Sequence, residues 1–388
     1  MHTAKAAIIT RTKDRPIMLK RAFKSVADQT FCDWVHVIVN DGGEQETVEK
    51  LVSELPSRIQ KKVVIIHNEV SQGMEAASNI GIKAVDSSYI LIHDDDDTLQ
   101  PDFLEQTVSF LESAEGEDFG GVATKIIRVI EEIDGDEIRI HSKDLWKPNL
   151  QSISLAEMAI QNTIVPISIV YRRHVHHCVG YYNEKLPVLG DWDFYLRFLS
   201  EFNIHLINEA LANYHHRISL KTGVYSNTIF GLTTKHNQVA TQIRNDYLRK
   251  DLREGKMGIG HLINIAKINS STDHLQTMYL IEHAKKSIFK QLKFNQVGTV
   301  ILYGTGEFAK DLFQMLLQND IDVKLFVDSK KETWGRTLFH VPIVSIEEAV
   351  KSEIDNFVVG SFNYAEEIAA NINAEFKKAN KQPRIFCH

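Results

Sequence analysis

The chain has 388 residues, 43% of them hydrophobic, with 44 basic against 51 acidic side chains and a formal charge of −7. That length exceeds what one hydrophobic core usually serves, so two or three domains are expected. The acidic balance and the lack of a long basic run argue against a phosphate backbone as ligand, so no nucleic-acid partner is expected.

Cys32, Cys178 and Cys387 stand far apart, without zinc or disulfide spacing, which fits a reducing compartment. The N-terminus passes from a short apolar run straight into charges, unlike a signal peptide, and no later stretch carries 18 apolar residues. The expected location is cytoplasmic, with peripheral contact to the inner face of a membrane.

In chain order, Ala6–Ile9, Val35–Val39, Val63–Ile66 and Tyr89–Ile92 are apolar runs separated by helical patterns. This alternation predicts an α/β fold in which crossover helices join strands of a mainly parallel sheet. Leu19, Ala22, Phe23 and Val26 repeat at helical spacing and would lay one face on that sheet, with Pro16 in the helix's first turn. Ligands of such sheets gather at the carboxyl ends of the strands. Three polar segments would open there: Thr10–Arg15, Asn40–Gly43 and His93–Asp97. From about 128 to 165 the pattern is less regular, with a hairpin candidate at Ile133-Asp134-Gly135-Asp136. From about 225 to 295 it is helical, and Val300–Tyr303 opens a new strand-turn-helix unit.

Four consecutive aspartates, Asp94 to Asp97, repel one another, and a divalent cation relieves that repulsion. Mg2+ or Mn2+ prefers carboxylate oxygen and bridges to substrate phosphates. On these four letters alone, a solvated acidic turn capping a helix begun by Pro101 remains an open alternative.

The run NEVSQGMEAASNIGIKAVDSSYILIHDDDDTLQPDFLE resembles the donor-binding core of the inverting family 2 glycosyltransferases, which have a GT-A fold and an Asp-x-Asp metal motif. The resemblance implies Asp96 as principal metal ligand. It places Asp94 near the ribose, the phosphates and the metal, Asp95 on the donor side, and Asp97 as a capping or supporting carboxylate. ITRTKDRP and VNDGG also resemble the family. They imply that Thr10, Thr12 and Arg15 border the nucleotide and that Asp41 approaches its base or ribose. Asn79 and Gly81 match the helix after the third strand, where a donor contact and a packing role both stay open. Two positions depart from the pattern: Ser78 stands where members often carry arginine, and His93 replaces an apolar residue.

Inverting transfer needs a base for the acceptor hydroxyl. In GDWDFYLRFL, Trp192, Tyr195 and Leu196 follow helical spacing and leave Asp191 at the helix entrance, where it could also be a plain N-cap. The segment resembles the place where family members carry an acid pair followed by tryptophan, the second acid being the base. Gly190 stands in the first position, and the resemblance leaves Asp191 as base. Downstream, Tyr214-His215-His216-Arg217 resembles the closing segment, in which a histidine approaches the metal or the diphosphate. Adjacent strand residues face opposite ways, and His216 is the one favoured for the metal. His174, His176 and His177 read as a surface cluster.

Gly304-Thr305-Gly306 after a strand, with Asp328 ending the next, resembles the turn of small Rossmann-like domains and makes Gly304, Gly306 and Asp328 a candidate second nucleotide site. A fold retained for assembly, or for docking partner enzymes of polysaccharide assembly, is the competing reading. The expected domains are 1–225 (GT-A), 226–295 (helical connection) and 296–388 (Rossmann-like). The expected function is transfer of a sugar from a nucleotide-sugar donor, UDP-linked by default, to a hydroxyl of a saccharide or lipid-linked acceptor in surface polysaccharide synthesis. An NAD-linked sugar-nucleotide oxidoreductase and a non-catalytic scaffold are the alternatives.

Overall fold

The computed structural model describes residues 3–135, 137–217, 223, 225 and 233–388. It divides into two units, Met1–Ile268 and Asn269–His388. In the first, β1 (Thr3–Thr12), β2 (Trp34–Asp41), β3 (Val63–Asn68) and β4 (Asp86–Asp94) are parallel in the order β3-β2-β1-β4. Every residue of β2 is buried, as a strand covered on both faces requires, and apolar residues accordingly point to both of its faces rather than alternating with polar ones.

The sheet continues through β5 (Thr98–Leu99), β6 (Phe119–Asp134), β7 (Glu137–Trp146), β8 (Ile169–Arg172) and β9 (Asn203–His216). β8 is antiparallel to both β4 and β6, and β9 runs parallel to β6. β6 and β7 form a hairpin at the expected place, although Asp136 lies outside the described residues.

The helix Pro16–Ala27 starts on its proline and buries Met18, Leu19, Ala22, Phe23 and Val26, the face that its apolar spacing predicts. The helix Met74–Ala84 packs so closely on the sheet that a Cβ on Gly81 would overlap Ile9 Cγ2. Gly81 is therefore a packing residue. Pairing of Thr10 with His93 and of Arg11 with Asp94 sets the ends of β1 and β4 side by side, bringing the first loop to the acidic cluster.

Helices Thr233–Glu254 and Ile259–Phe294 follow, and the two units divide within the latter. The expected domain edge at 225/226 borders residues outside the description. In the second unit, β10 (Thr299–Tyr303), β11 (Asp322–Val327), β12 (Thr337–Leu338), β13 (Val341–Val344), β14 (Asn356–Val359) and β15 (Arg384–Phe386) line up as β12-β13-β11-β10-β14-β15. All neighbours are parallel except β12 and β13. Among the described residues, no helix is long and apolar enough to cross a membrane.

Candidate active site

The four aspartates do not form a solvated turn. Asp95, Asp96 and Asp97 are buried, and only Asp94 keeps appreciable exposure, 30% of its side chain. The cost of burying these charges is met by guanidinium groups. Arg11 pairs with Asp94 through its Nη2. Arg15 Nη2 lies 2.8 Å from Asp95 Oδ1, as an ion pair without hydrogen-bond alignment, and its Nη1 lies 3.5 Å from Asp96 Oδ2. Thr12 Oγ1 donates to Asp95 Oδ2 at 2.7 Å. Asp97 Oδ1 accepts from the backbone N–H of His215 at 3.0 Å, so this aspartate ties β9 to the loop rather than capping a helix.

Behind this layer, the fully buried Arg217 pairs with Asp96 Oδ2 and, at 3.0 Å, with Glu131 Oε1. Arg21 Nη1 and His215 Nδ1 reach Glu131 Oε2 at 2.6 and 2.7 Å. Burial opposes the charge on Asp96, yet Arg15 and Arg217 outweigh it and hold the carboxyl below its usual range. On Asp95 burial prevails over Arg15 and pushes the carboxyl up. Asp95 and Asp96 thus differ in proton affinity because Asp96, unlike Asp95, also faces Arg217.

A cavity beside this cluster is lined by Arg11, Glu75, Asp94, Asn162, Asp191 and His216, among others. The structure therefore brings Asp94, Asp191 and His216 together from β4, the helix Gly190–Leu199 and β9. Asp191 is not an N-cap. That position belongs to Leu189, whose left-handed φ of 63° is strained for a branched side chain and whose side chain lines the same cavity. Asp191 Oδ1 accepts from its neighbour Trp192 N–H at 2.8 Å and Oδ2 from Asn162 Nδ2 at 2.7 Å, while burial raises the carboxyl above its ordinary value. Asp193 turns away to Arg197 and Tyr247. Burial lowers His216 to about 4, so its imidazole is neutral at pH 7.

Three residues expected to contact the donor are engaged by protein partners. Thr10 is fully buried, with its hydroxyl bonded to His36 and His93 at 2.7 and 2.9 Å. Asn79 is likewise buried, bonding Tyr182 through both N–H and carbonyl and reaching Glu184, so it straps the helix Met74–Ala84 to the segment around Tyr182. Asp41 accepts four hydrogen bonds, from Asn68, Ser71 and the backbone of Gln72 and Gly73, which fill the acceptor capacity of a carboxylate. Each of these side chains thus has hydrogen-bond partners within the fold. His176 is also a correction: it is buried, bonded to Tyr171 and to the Gly180 carbonyl, not a surface residue.

The glycosyl transferase family 2 model matches residues 7–180, which holds the acidic cluster and stops short of Asp191. Over 211 residues the chain is 30% identical to the uncharacterized glycosyltransferase YwdF of Bacillus subtilis, spanning 54% of this chain and 74% of that protein. The chain belongs to glycosyl transferase family 2. A PGL/p-HBAD biosynthesis glycosyltransferase of Mycobacterium bovis is 27% identical over 195 residues, 50% of this chain and 69% of its own length. The crystal structure of S. aureus TarS shares the fold at a TM-score of 0.50 and 16% identity, covering 68% of this chain and 43% of that one. This family 2 member is thus a glycosyltransferase.

The C2185-like, N-terminal family model matches residues 297–381 of the transferase. Gly304, Gly306 and Asp328 share one cavity there with Gly360, Ser361 and Tyr364. Gly304 has a φ of 121°, and a Cβ on it would lie 2.8 Å from the Gly360 carbonyl oxygen, so only glycine fits. Asp328 accepts from the Thr305 hydroxyl and from Lys330 N–H, which closes the turn on itself.

Sequence reasoning missed Arg11, Glu75, Glu131 and Arg217 in the first unit. The single available signal was Ser78, to whose Oγ Arg11 Nη1 donates at 3.2 Å.

Proposed function

We propose that the enzyme transfers a sugar with inversion from a nucleoside-diphosphate sugar to a hydroxyl of a saccharide or lipid-linked acceptor, with Asp191 as general base. The observation that carries this reading is the shared cavity of Asp191, Asp94 and His216. Burial makes the Asp191 carboxylate a stronger base than an exposed one, and Trp192 N–H and Asn162 fix its orientation. The proton of the acceptor hydroxyl passes to Asp191 as that oxygen attacks the anomeric carbon, and the nucleoside diphosphate departs on the opposite face. Arg11 and Arg15 add positive charge where the diphosphate accumulates negative charge.

GT-A glycosyltransferases commonly use a divalent metal. The donor set here suits one: Asp94 and Asp96 offer hard carboxylate oxygens, and the neutral imidazole of His216 lines the same cavity as Asp94. Among the described residues no three acidic, histidine or cysteine side chains stand close enough to hold an ion by themselves, so substrate phosphates would have to complete its coordination. Held by Asp96 and Asp94, with His216 nearby, the ion would supply charge stabilisation to the leaving diphosphate. UDP is the default carrier. Surface polysaccharide synthesis at the inner face of the membrane is the setting that a lipid-linked acceptor implies, and Thr12, Arg15 and Asp95 are assigned to the donor side. The second unit serves as an accessory fold, since Asp328, on which ribose recognition would depend, bonds Thr305 and Lys330 instead.

Asp191→Asn should keep donor binding while transfer falls by about 10²–10⁴, and Asp96→Ala should weaken metal-dependent donor binding itself. Equal residual turnover in the two variants, measured by nucleoside diphosphate release, would contradict the assignment.

A further inference from the structure

Gly190 leaves a gap beside the proposed base, and the structure fills it with another carboxylic acid. A Cβ built on Gly190 would overlap Cδ and Oε1 of Glu75, which comes from the helix Met74–Ala84. Glu75 Oε2 is buried without a hydrogen-bond partner, and its nearest cation, Arg11 Nη1, stays 3.9 Å away. A buried carboxyl that lines this cavity and lacks a partner is costly unless something else supplies the bond.

The position of Glu75 says what would supply it. Arg11 touches Asp94 on one side and approaches Glu75 on the other, and Glu75 in turn packs against Gly190, the neighbour of Asp191. The transferred sugar must span this interval, because its anomeric carbon faces the acceptor held at Asp191 while its phosphate lies towards Asp94 and Arg11. We propose that Glu75 binds the transferred sugar of the donor, its Oε2 bonding a ring hydroxyl in place of an acid at position 190. The inference rests on the reading of this cavity as the donor site. Burial raises Glu75 to about 8, against the pull of Arg11 and with the help of Asp191, Asp94 and Asp193. A neutral carboxyl both donates and accepts, which suits a hydroxyl, and it places no second negative charge beside Asp191.

The test compares two affinities for each variant, measured calorimetrically with Mn2+: that for the nucleoside diphosphate alone and that for the matching sugar nucleotide, from UDP-, GDP-, dTDP- and CDP-sugars. Glu75→Met fills the same space without the hydroxyl contact. It should weaken sugar-nucleotide binding roughly tenfold, the scale of one buried hydrogen bond, and leave diphosphate binding unchanged. Because Glu75→Met could unfold the helix contact, a second variant moves the acid: Glu75→Ala with Gly190→Glu, which is feasible because Gly190 lies outside the left-handed region. This swap should bring sugar-nucleotide affinity back to within about threefold of wild type. Unchanged sugar-nucleotide binding in Glu75→Met, or a swap that binds the diphosphate normally without recovering the sugar nucleotide, overturns the proposal alone. If the wild-type protein binds no nucleoside diphosphate and no sugar nucleotide, the donor-site reading fails and this inference fails with it.

Discussion

The buried ions around Asp96 behave as one group. Arg217 is fully buried and pairs with both Asp96 and Glu131, so removing one member leaves buried charge behind on the others. Arg217→Met should destabilise the first unit by about 3–5 kcal/mol in chemical denaturation, the cost of leaving buried charge uncompensated. Glu75 makes a second prediction at this scale. Its folded value of about 8 lies above the ordinary 4.5, so between those values the folded protein holds a proton that the unfolded chain has released. Stability contributed by that proton is complete below about 4.5 and is lost as pH rises through about 8. The charged groups around it are Arg11, Asp94, Asp191 and Asp193. Glu75→Gln should flatten the fall in denaturation midpoint between pH 5 and 8, roughly the interval set by those two values; an unchanged slope would show that Glu75 ionises normally.

Among the elements, the tightest fit is between the helix Met74–Ala84 and the sheet. At Gly81 the contact is with Ile9 and Val39, and neither side chain lies on a loop that could yield. Gly81→Ala gains helix propensity worth about 1 kcal/mol but forces a methyl into packed atoms, at a cost of about 1–3 kcal/mol or more. The balance predicts a lower midpoint, read by circular dichroism. Elements of this kind were legible in the sequence, since β1, β2 and β4 announce themselves as apolar runs and the loops after β1 and β4 hold the acids and their partners. Asp191 was legible too, from Trp192, Tyr195 and Leu196 on the opposite helix face. What the sequence does not display is which polar side chains the fold itself consumes. Asp41 and Asn79, for example, are bonded within the fold by Ser71, Gly73 and Tyr182, partners that no local spacing announces. The reverse error hid Glu75, because its meaning depends on a glycine 115 positions away, and hid Arg217, because a buried arginine follows no periodicity.

At the scale of the whole molecule, each of the two units has a hydrophobic core of its own, centred on residues such as Ile9, Ile90 and Phe194 in one and Leu302, Phe313 and Phe326 in the other. Units with separate cores commonly unfold in separate steps. Scanning calorimetry should resolve two transitions, and a nucleoside diphosphate with Mn2+ should raise only the one belonging to the first unit, by mass action on its folded state. A shift of the other transition instead would move ligand binding to the cavity of Gly304 and Gly306.

On the proposed mechanism the cavity of Asp94, Asp191 and His216 holds the donor while Asp191 performs the proton transfer. Titration calorimetry of wild type and Asp191→Asn with UDP, GDP, dTDP and CDP, each with and without Mn2+, tests it most directly. One nucleotide should bind, only with the metal present, and with equal affinity to both proteins. Absence of binding by every nucleotide in wild type, with the metal present, would contradict it.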